Sequence, residues 1–411
     1  MEPSGTSALN PNILPNTTYK PVGPTPDDHD FEPTRSFDRT RGNSGARRID
    51  YEDSDYILTT LPSQKEGIDR DGETECFCTG WFRRTVLSTP GFPSPIVYPK
   101  KVVYEVREVE GCGLGVFALE DIRIGDLIVA ERPLIVNMIV GDMERVLEAL
   151  CARMSSETFK TYMALHNCYG TDDSGSLTGI MLTNGFSTRI DEPSDPAGGT
   201  YSCTGAVASR FNHSCSPNAV HTFHLPSFAM EVHALQPIAK GEEIVVNYTS
   251  IEPTAEARQV SLKPYNFVCT CLACKNSATS DIVRAKAVSS LLPKTSQGVQ
   301  HAEGVLAAYE ATGLHLLPRY IDLLERVAKI NRKKGNTERA DELDLLADTI
   351  IALQSRSLVG KGSGSSTGIQ LKSPQDALNS LKIAMQYAGS DSEREDLMRI
   401  FKQALNLGSQ N

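Results

Sequence analysis

Three cysteines, Cys269, Cys271 and Cys274, stand together in the run VCTCLAC. At C-x-C-x2-C spacing they do not fit one face of a buried core. Thiols this close bind a soft divalent ion such as zinc, and a closed tetrahedral site needs a fourth ligand. Cys215, in RFNHSCSPN, is the candidate. The competing reading, unrelated packing cysteines, suits Cys76 and Cys78 better, because no partner lies near that pair. Three other segments could bear chemistry. Asn212-His213-Ser214-Cys215 follows an apolar run and leads to the turn at Pro217-Asn218; alone, such residues are usually turn formers. Gly241-Glu242-Glu243-Ile244 leads to Asn247 and Tyr248, and a lone Tyr is more often core than catalyst. The glycines of Gly111-Cys112-Gly113-Leu114-Gly115 would let backbone approach a ligand closely. That run lacks the dinucleotide fingerprint, which excludes NAD binding on this loop.

These segments must be held by elements that the patterning also exposes. Val102 to Val106 reads as a strand, the glycines as a turn, and Val116 to Ala118 as a strand again. Leu127 to Ala130 and Leu134 to Val140 continue in short β-like runs. Met143, Val146, Leu147, Leu150 and Met154 lie on one helical face. Asp172 to Gly179 and Asp191 to Gly199 read as loops. Strands return near Val220 to His224, Ala229 to Ala234 and Glu243 to Tyr248. After about residue 280 the chain turns helical, with one stripe at Tyr320, Leu324, Val327 and Ile330 and another at Leu343, Leu346, Ile350 and Leu353. Gly360 to Gly368 is a flexible break, Ser373-Pro374 starts a further helix, and Ser390 with Glu393 forms a capping box.

The expected organisation is a disordered tail over 1–50, poor in branched apolar residues, and an extension over 51–99 that packs on the next domain through Tyr56, Ile57, Leu58 and Cys76 to Phe82. A strand-rich domain over 100–250, a cysteine-bearing segment over 251–276 and a helical domain over 280–411 complete it. Of 411 residues, 40% are hydrophobic and 22% charged, enough for a real core. Lys plus Arg number 41 against 51 Asp plus Glu, a net charge of −10. A phosphate-gripping protein carries a basic excess, so no direct nucleic-acid partner is expected. No apolar run is long enough to span a membrane, and no secretory signal is visible. Ten cysteines without such a signal point to a reducing compartment, hence nucleus or cytoplasm.

Taken together and in this order, the motifs resemble a SET domain. The likeness runs over about 101–276, from YEVREVEGCGLGVFALEDIRIGDLIVAERPL through LTNGF, SRFNHSCSPN and GEEIVVNY to YNFVCTCLAC, which is similar to a post-SET cysteine cluster. In motif style the chain is similar to SMYD-type enzymes and the fungal SET proteins like them. Those carry a MYND finger inside the SET domain. Here Cys151 and Cys168 alone lie between Pro133 and Asn184, so no such finger can be built. Position 112 is Cys where relatives often have a polar or basic residue.

The resemblance implies an α+β fold: a SET-type irregular β-fold with inserted helices and a post-SET zinc segment, followed by a TPR-like α-helical domain. It implies a protein-lysine N-methyltransferase using S-adenosyl-L-methionine, with a structural zinc ion on Cys215, Cys269, Cys271 and Cys274. Gly113, Leu114, Gly115, Asn184, Asn212, His213 and Phe267 would contact the cofactor. Phe186 and Tyr265 would line the channel of the target lysine, and Tyr248 would be the catalytic residue. The partner is a protein bearing that lysine, histone or not, and a monomer is expected. The rival is a SET scaffold that serves as a binding adaptor, against which stands the intact set of Asn212, His213 and Tyr248.

Overall fold

The computed structural model describes residues 36–37, 53, 56–62, 73–109, 111, 113–138, 143–170, 176–189, 199–289 and 292–355. In chain order these hold β1 (Ser36–Phe37), β2 (Tyr56–Leu61), β3 (Thr74–Thr79), α1 (Gly80–Leu87), β4 (Tyr104–Val109), β5 (Gly113–Ala118), β6 (Leu127–Glu131), β7 (Ile135–Asn137), α2 (Met143–Arg153), α3 (Ser156–Met163) and α4 (Ser176–Asn184). Next come β8 (Gly185–Arg189), β9 (Thr200–Thr204), β10 (Asn212–His213), β11 (Ala219–His224), β12 (Ala229–Ala234), β13 (Glu243–Val246), α5 (Ala255–Leu262), α6 (Leu272–Lys275), α7 (Ser277–Ser289), α8 (Gly298–Ala311), α9 (Pro318–Lys333) and α10 (Thr337–Ser355). Three sheets result, ordered β1-β2-β3-β7-β9-β8, β10-β13-β5-β4 and β11-β12-β6. The Gly360–Gly368 break, the two helix starts beyond it and Cys112 lie outside the described residues.

The extension over 51–99 does more than pack against the domain. β3 pairs parallel with β7 and antiparallel with β2, and every residue of β3 is buried. Thr79 then caps α1, its hydroxyl accepting from the Phe82 N–H at 3.0 Å. Cys76 and Cys78 are fully buried in this core, as plain packing requires. Glu75 of β3 is buried too, and it survives there through Arg153 of α2, whose Nε donates to it at 2.6 Å. Arg153 also donates to Thr60 of β2 at 2.9 Å, so one buried ion pair joins both strands to the inserted helix.

One loop expectation is corrected. Ser176 to Gly179 is not loop but the first turn of α4. The cause is tertiary. The Glu144 carboxylate of α2 accepts from the Leu177 N–H at 3.1 Å and from the Thr178 N–H and hydroxyl at 2.7 Å each. An anion is thus supplied to the orphan donors of the helix start from a distant point of the chain.

The helices α7 to α10 share a second core. Tyr320, Leu324, Val327 and Ile330 are all buried there, as are Leu343, Ile350 and Leu353, with Leu346 partly so. Val220, Leu235 and Ile251 belong to the same core, so the helices are packed onto the strand-rich part. Pro318 occupies the first turn of α9, where its fixed φ suits the helix and its missing N–H costs nothing.

Candidate active site and metal centre

The short strand β10 pairs parallel with β13, setting Asn212 beside Val245 and His213 beside Val246. β13 pairs in turn with β5. The two polar motifs and the glycine hairpin therefore meet at one place. Asn212 Nδ2 donates to the Leu114 carbonyl at 3.1 Å and to Glu243 Oε1 at 2.8 Å, binding hairpin and motif together. At Gly113 an added Cβ would meet nothing within 4 Å among the described residues, so no described residue covers the hairpin backbone on that side.

Chain direction past β13 carries Tyr248 over His213. The Tyr248 N–H donates to His213 Nδ1 at 2.9 Å. Nδ1 is thus an acceptor, which puts the proton of the neutral ring on Nε2, 3.3 Å from Cys215 Sγ. Burial pushes the His213 pKa down to about 4, the Cys271 charge acting against that fall and Arg258 with it, so the neutral form is the one present near pH 7. His213 links the tyrosine backbone to a thiol of the cluster, which leaves its ring face and backbone to meet a ligand.

The Tyr248 hydroxyl donates to the Phe211 carbonyl at 2.6 Å. Its ring lies 5.0 Å from that of Tyr265, 5.3 Å from His213 and 6.5 Å from Phe267. Tyr265 and Phe267 are themselves 6.5 Å apart, and His213 and Phe267 6.0 Å. Four rings from three segments thus wall one place. Burial, and next the Cys168 thiol, raise the Tyr265 pKa, which keeps that phenol protonated.

The four candidate thiols converge. The sulfurs of Cys215, Cys269, Cys271 and Cys274 all lie within 4.8 Å of one another. Cys215 Sγ is 3.9 Å from that of Cys269 and 3.6 Å from that of Cys274. Sulfurs about 2.3 Å from a common zinc ion stand about 3.8 Å apart in a tetrahedron, so donor set and spacing both fit zinc. Hydrogen bonds from Cys215 and Cys269 hold the Cys271 thiol well below the usual thiol range, which favours a thiolate in the cluster. Gln259 of α5 fixes the segment, its amide exchanging hydrogen bonds of 2.8 and 3.0 Å with the Cys269 backbone.

Asn184 and Phe186 stand on α4 and β8, and their ties run elsewhere. Asn184 Nδ2 donates to the His166 and Ile180 carbonyls at 2.6 and 2.7 Å, while its own carbonyl accepts from Ser209, just ahead of Phe211, at 3.1 Å. The Phe186 ring lies 4.6 Å from His221 and packs on the core that also carries Tyr248. Sequence reasoning gives no role to Glu243, to the Phe211 carbonyl, or to Arg258 and Arg284, which are buried beside the thiols. Glu243 does lie inside the GEEIVVNY motif. The two arginines sit on helices where they read as surface charges, so no local signal marks them.

Comparison with known proteins points the same way. The SET-domain family profile matches residues 113–249. Histone-lysine N-methyltransferase set5 of Schizosaccharomyces pombe is 32% identical over 175 residues, 42% of this chain and 50% of that protein. Histone-lysine N-methyltransferase ASHR1 of Arabidopsis thaliana is 42% identical over 71 residues, 17% of this chain and 14% of that one. Among solved structures, the Neurospora SET domain protein DIM-5, a histone lysine methyltransferase, is similar at a TM-score of 0.25 with 15% identity, over 37% of this chain and 54% of that one. The chain spans at most half the length of these two curated relatives. The glycine hairpin, the paired polar strands and Tyr248 all lie inside residues 113–249, the span that matches the SET-domain profile.

Proposed function

We propose that this protein is an S-adenosylmethionine-dependent methyltransferase that acts on a lysine side chain of a protein. The observation that carries this is Tyr248: its hydroxyl is held on the Phe211 carbonyl inside a wall of aromatic rings, beside the paired Asn212-His213 strand. Similarity to histone-lysine N-methyltransferases over part of the chain supports it. The cofactor, when bound, supplies a methyl group on a cationic sulfur. On this reading the backbone of Gly113, Leu114 and Gly115, together with Asn184, Asn212, His213 and Phe267, would hold it. The open side of the hairpin and the Phe267 ring suit an amino acid and an adenine.

A hydroxyl has one proton and two lone pairs. With its proton on Phe211, the Tyr248 oxygen meets an incoming amine as an acceptor and so orients it. Lysine has an ordinary pKa of about 10.4 and must lose a proton before it can attack. The apolar walls offered by Tyr265 and Phe186 lower that pKa by desolvation. Nothing in this scheme asks Tyr248 to be the base. Catalysis rests on position and on local electrostatics.

Zinc on Cys215, Cys269, Cys271 and Cys274 would be structural, since four thiolates leave no open position. It would pin the post-SET segment, with Tyr265 and Phe267, to the strand that bears His213. The helices from α7 onward are read as a TPR-like domain. The substrate is a protein, histone or non-histone, met in the nucleus or the cytoplasm. No helix among the described residues is long and apolar enough to cross a membrane.

Transfer of labelled methyl from S-adenosylmethionine to proteins of a matching cell extract tests the reading. Discrete labelled bands support it. No label from folded, zinc-loaded protein would favour the adaptor instead.

A further inference from the structure

Two arginines that this chemistry does not use are buried against the thiol cluster. Arg258 on α5 is 0% exposed and Arg284 on α7 is 1% exposed. Arg258 donates from Nη2 to Cys274 Sγ at 3.7 Å, and from Nη1 to Asp281 at 3.5 Å and to the Pro253 carbonyl. Its buried Nε has no acceptor among the described residues. Arg284 donates from Nη2 to the Cys215 carbonyl at 3.0 Å and the Thr312 carbonyl at 2.9 Å, from Nε to Ser280 at 3.0 Å, and from Nη1 to the Ile251 carbonyl.

A guanidinium cannot shed its charge in a protein, and burying one is strongly unfavourable without an opposite charge nearby. Asp281 offers a single carboxylate between two guanidiniums. Four neutral thiols would offer nothing. A divalent ion held by four thiolates carries a net double negative charge, and it would sit where Cys274 Sγ already receives a guanidinium N–H.

We propose that Arg258 and Arg284 are the counter-ions of a divalent metal site with four thiolates, and that they set its affinity. This rests on the zinc reading given above. Arg258 touches a ligand sulfur directly, while Arg284 acts through the backbone of Cys215. Because Arg284 also holds the Thr312 carbonyl, the charge on the metal site helps to anchor the turn between α8 and α9. Groups of this kind around a metal commonly change affinity by about 10–100-fold when removed.

Zinc affinity of the full chain is measured by competition with a chromophoric chelator. Arg258→Met is expected to bind zinc about 10–100-fold more weakly, and Arg258→Lys, which keeps a cation, to stay near wild type. Wild-type affinity in Arg258→Met overturns the proposal, as does an equal loss in Arg258→Lys. Should Arg258→Met fail to fold, Asp281→Asn decides: it removes the carboxylate that competes for Arg258, so affinity rises, and an unchanged or lower affinity overturns the proposal. Failure of the underlying reading is distinct, because then the wild-type chain itself binds no zinc.

Discussion

Gly313 seats the helices on the loop that bears Cys215, and Gly313→Ala should break that seat. Gly313 has φ of +69°, in the left-handed region, where a residue with a Cβ costs roughly 1–2 kcal/mol. A Cβ there would fall 2.4 Å from Ser216 Cβ and 2.6 Å from Ser216 Cα. Carbon contacts need about 3.5–4.0 Å, so the two segments must part by roughly 1 Å. Overpacking of that sort costs about 1–3 kcal/mol. The sum is about 2–5 kcal/mol. Ser216 follows Cys215 of the thiol cluster and donates from its hydroxyl to the Thr312 carbonyl at 2.8 Å, so the shift reaches that cluster. Urea unfolding and zinc competition should both register the change. Gly335→Ala is the control: φ is +85° but nothing lies within 4 Å, so it carries the backbone cost alone and leaves zinc affinity unchanged. If Gly313→Ala matches Gly335→Ala in both assays, the contact between the helical turn and the Ser216 loop is not what holds Cys215 in place.

Other named contacts give three more expected outcomes. Cys271→Ala should lose zinc, loosen the segment bearing Tyr265 and Phe267, and lose activity; a zinc-replete, active variant would remove the metal from the account. Arg153→Met should destabilise the chain by about 3–5 kcal/mol, because it takes the cation from a buried carboxylate, and the double variant with Glu75→Gln should recover much of that in denaturant titrations. His315 is buried, and its pKa is pushed down to about 4 by that burial, against about 6.5 unfolded. The unfolded chain therefore takes up the extra proton first, so this contribution is whole above about pH 6.5 and falls away toward about pH 4. Between about pH 7.5 and about pH 5 it amounts to about 2 kcal/mol, which His315→Phe should abolish in paired unfolding curves.

The strands β4 to β7 and β11 to β13, the helices α9 and α10 and the thiol cluster are legible in the sequence, because each rests on local pattern. Apolar period marks Val116, Val220 and Val327, and C-x-C-x2-C marks three of the four thiols that converge, without any contact being known. What stays hidden depends on partners far along the chain. α4 starts where Glu144 reaches it from well upstream, so its first turn reads as loop. Nothing local marks Glu75 as buried, because its partner Arg153 lies far along the chain. His213 reads as a cofactor contact, yet its ring nitrogens join Tyr248 to Cys215, a link that spacing cannot reveal. Arg258 and Arg284 read as ordinary helix charges for the same reason.

The measurement that bears most directly on the central claim is methyl transfer by Tyr248→Phe beside wild type, on folded, zinc-loaded protein. The substitution keeps the ring contacts to Tyr265 and His213 and removes the hydroxyl on the Phe211 carbonyl. Turnover of labelled methyl should fall about 10²–10³-fold, with cofactor affinity and fold little changed, as expected when one positioned group of the transition state is lost. Full turnover in Tyr248→Phe would contradict the account and take Tyr248 out of the mechanism.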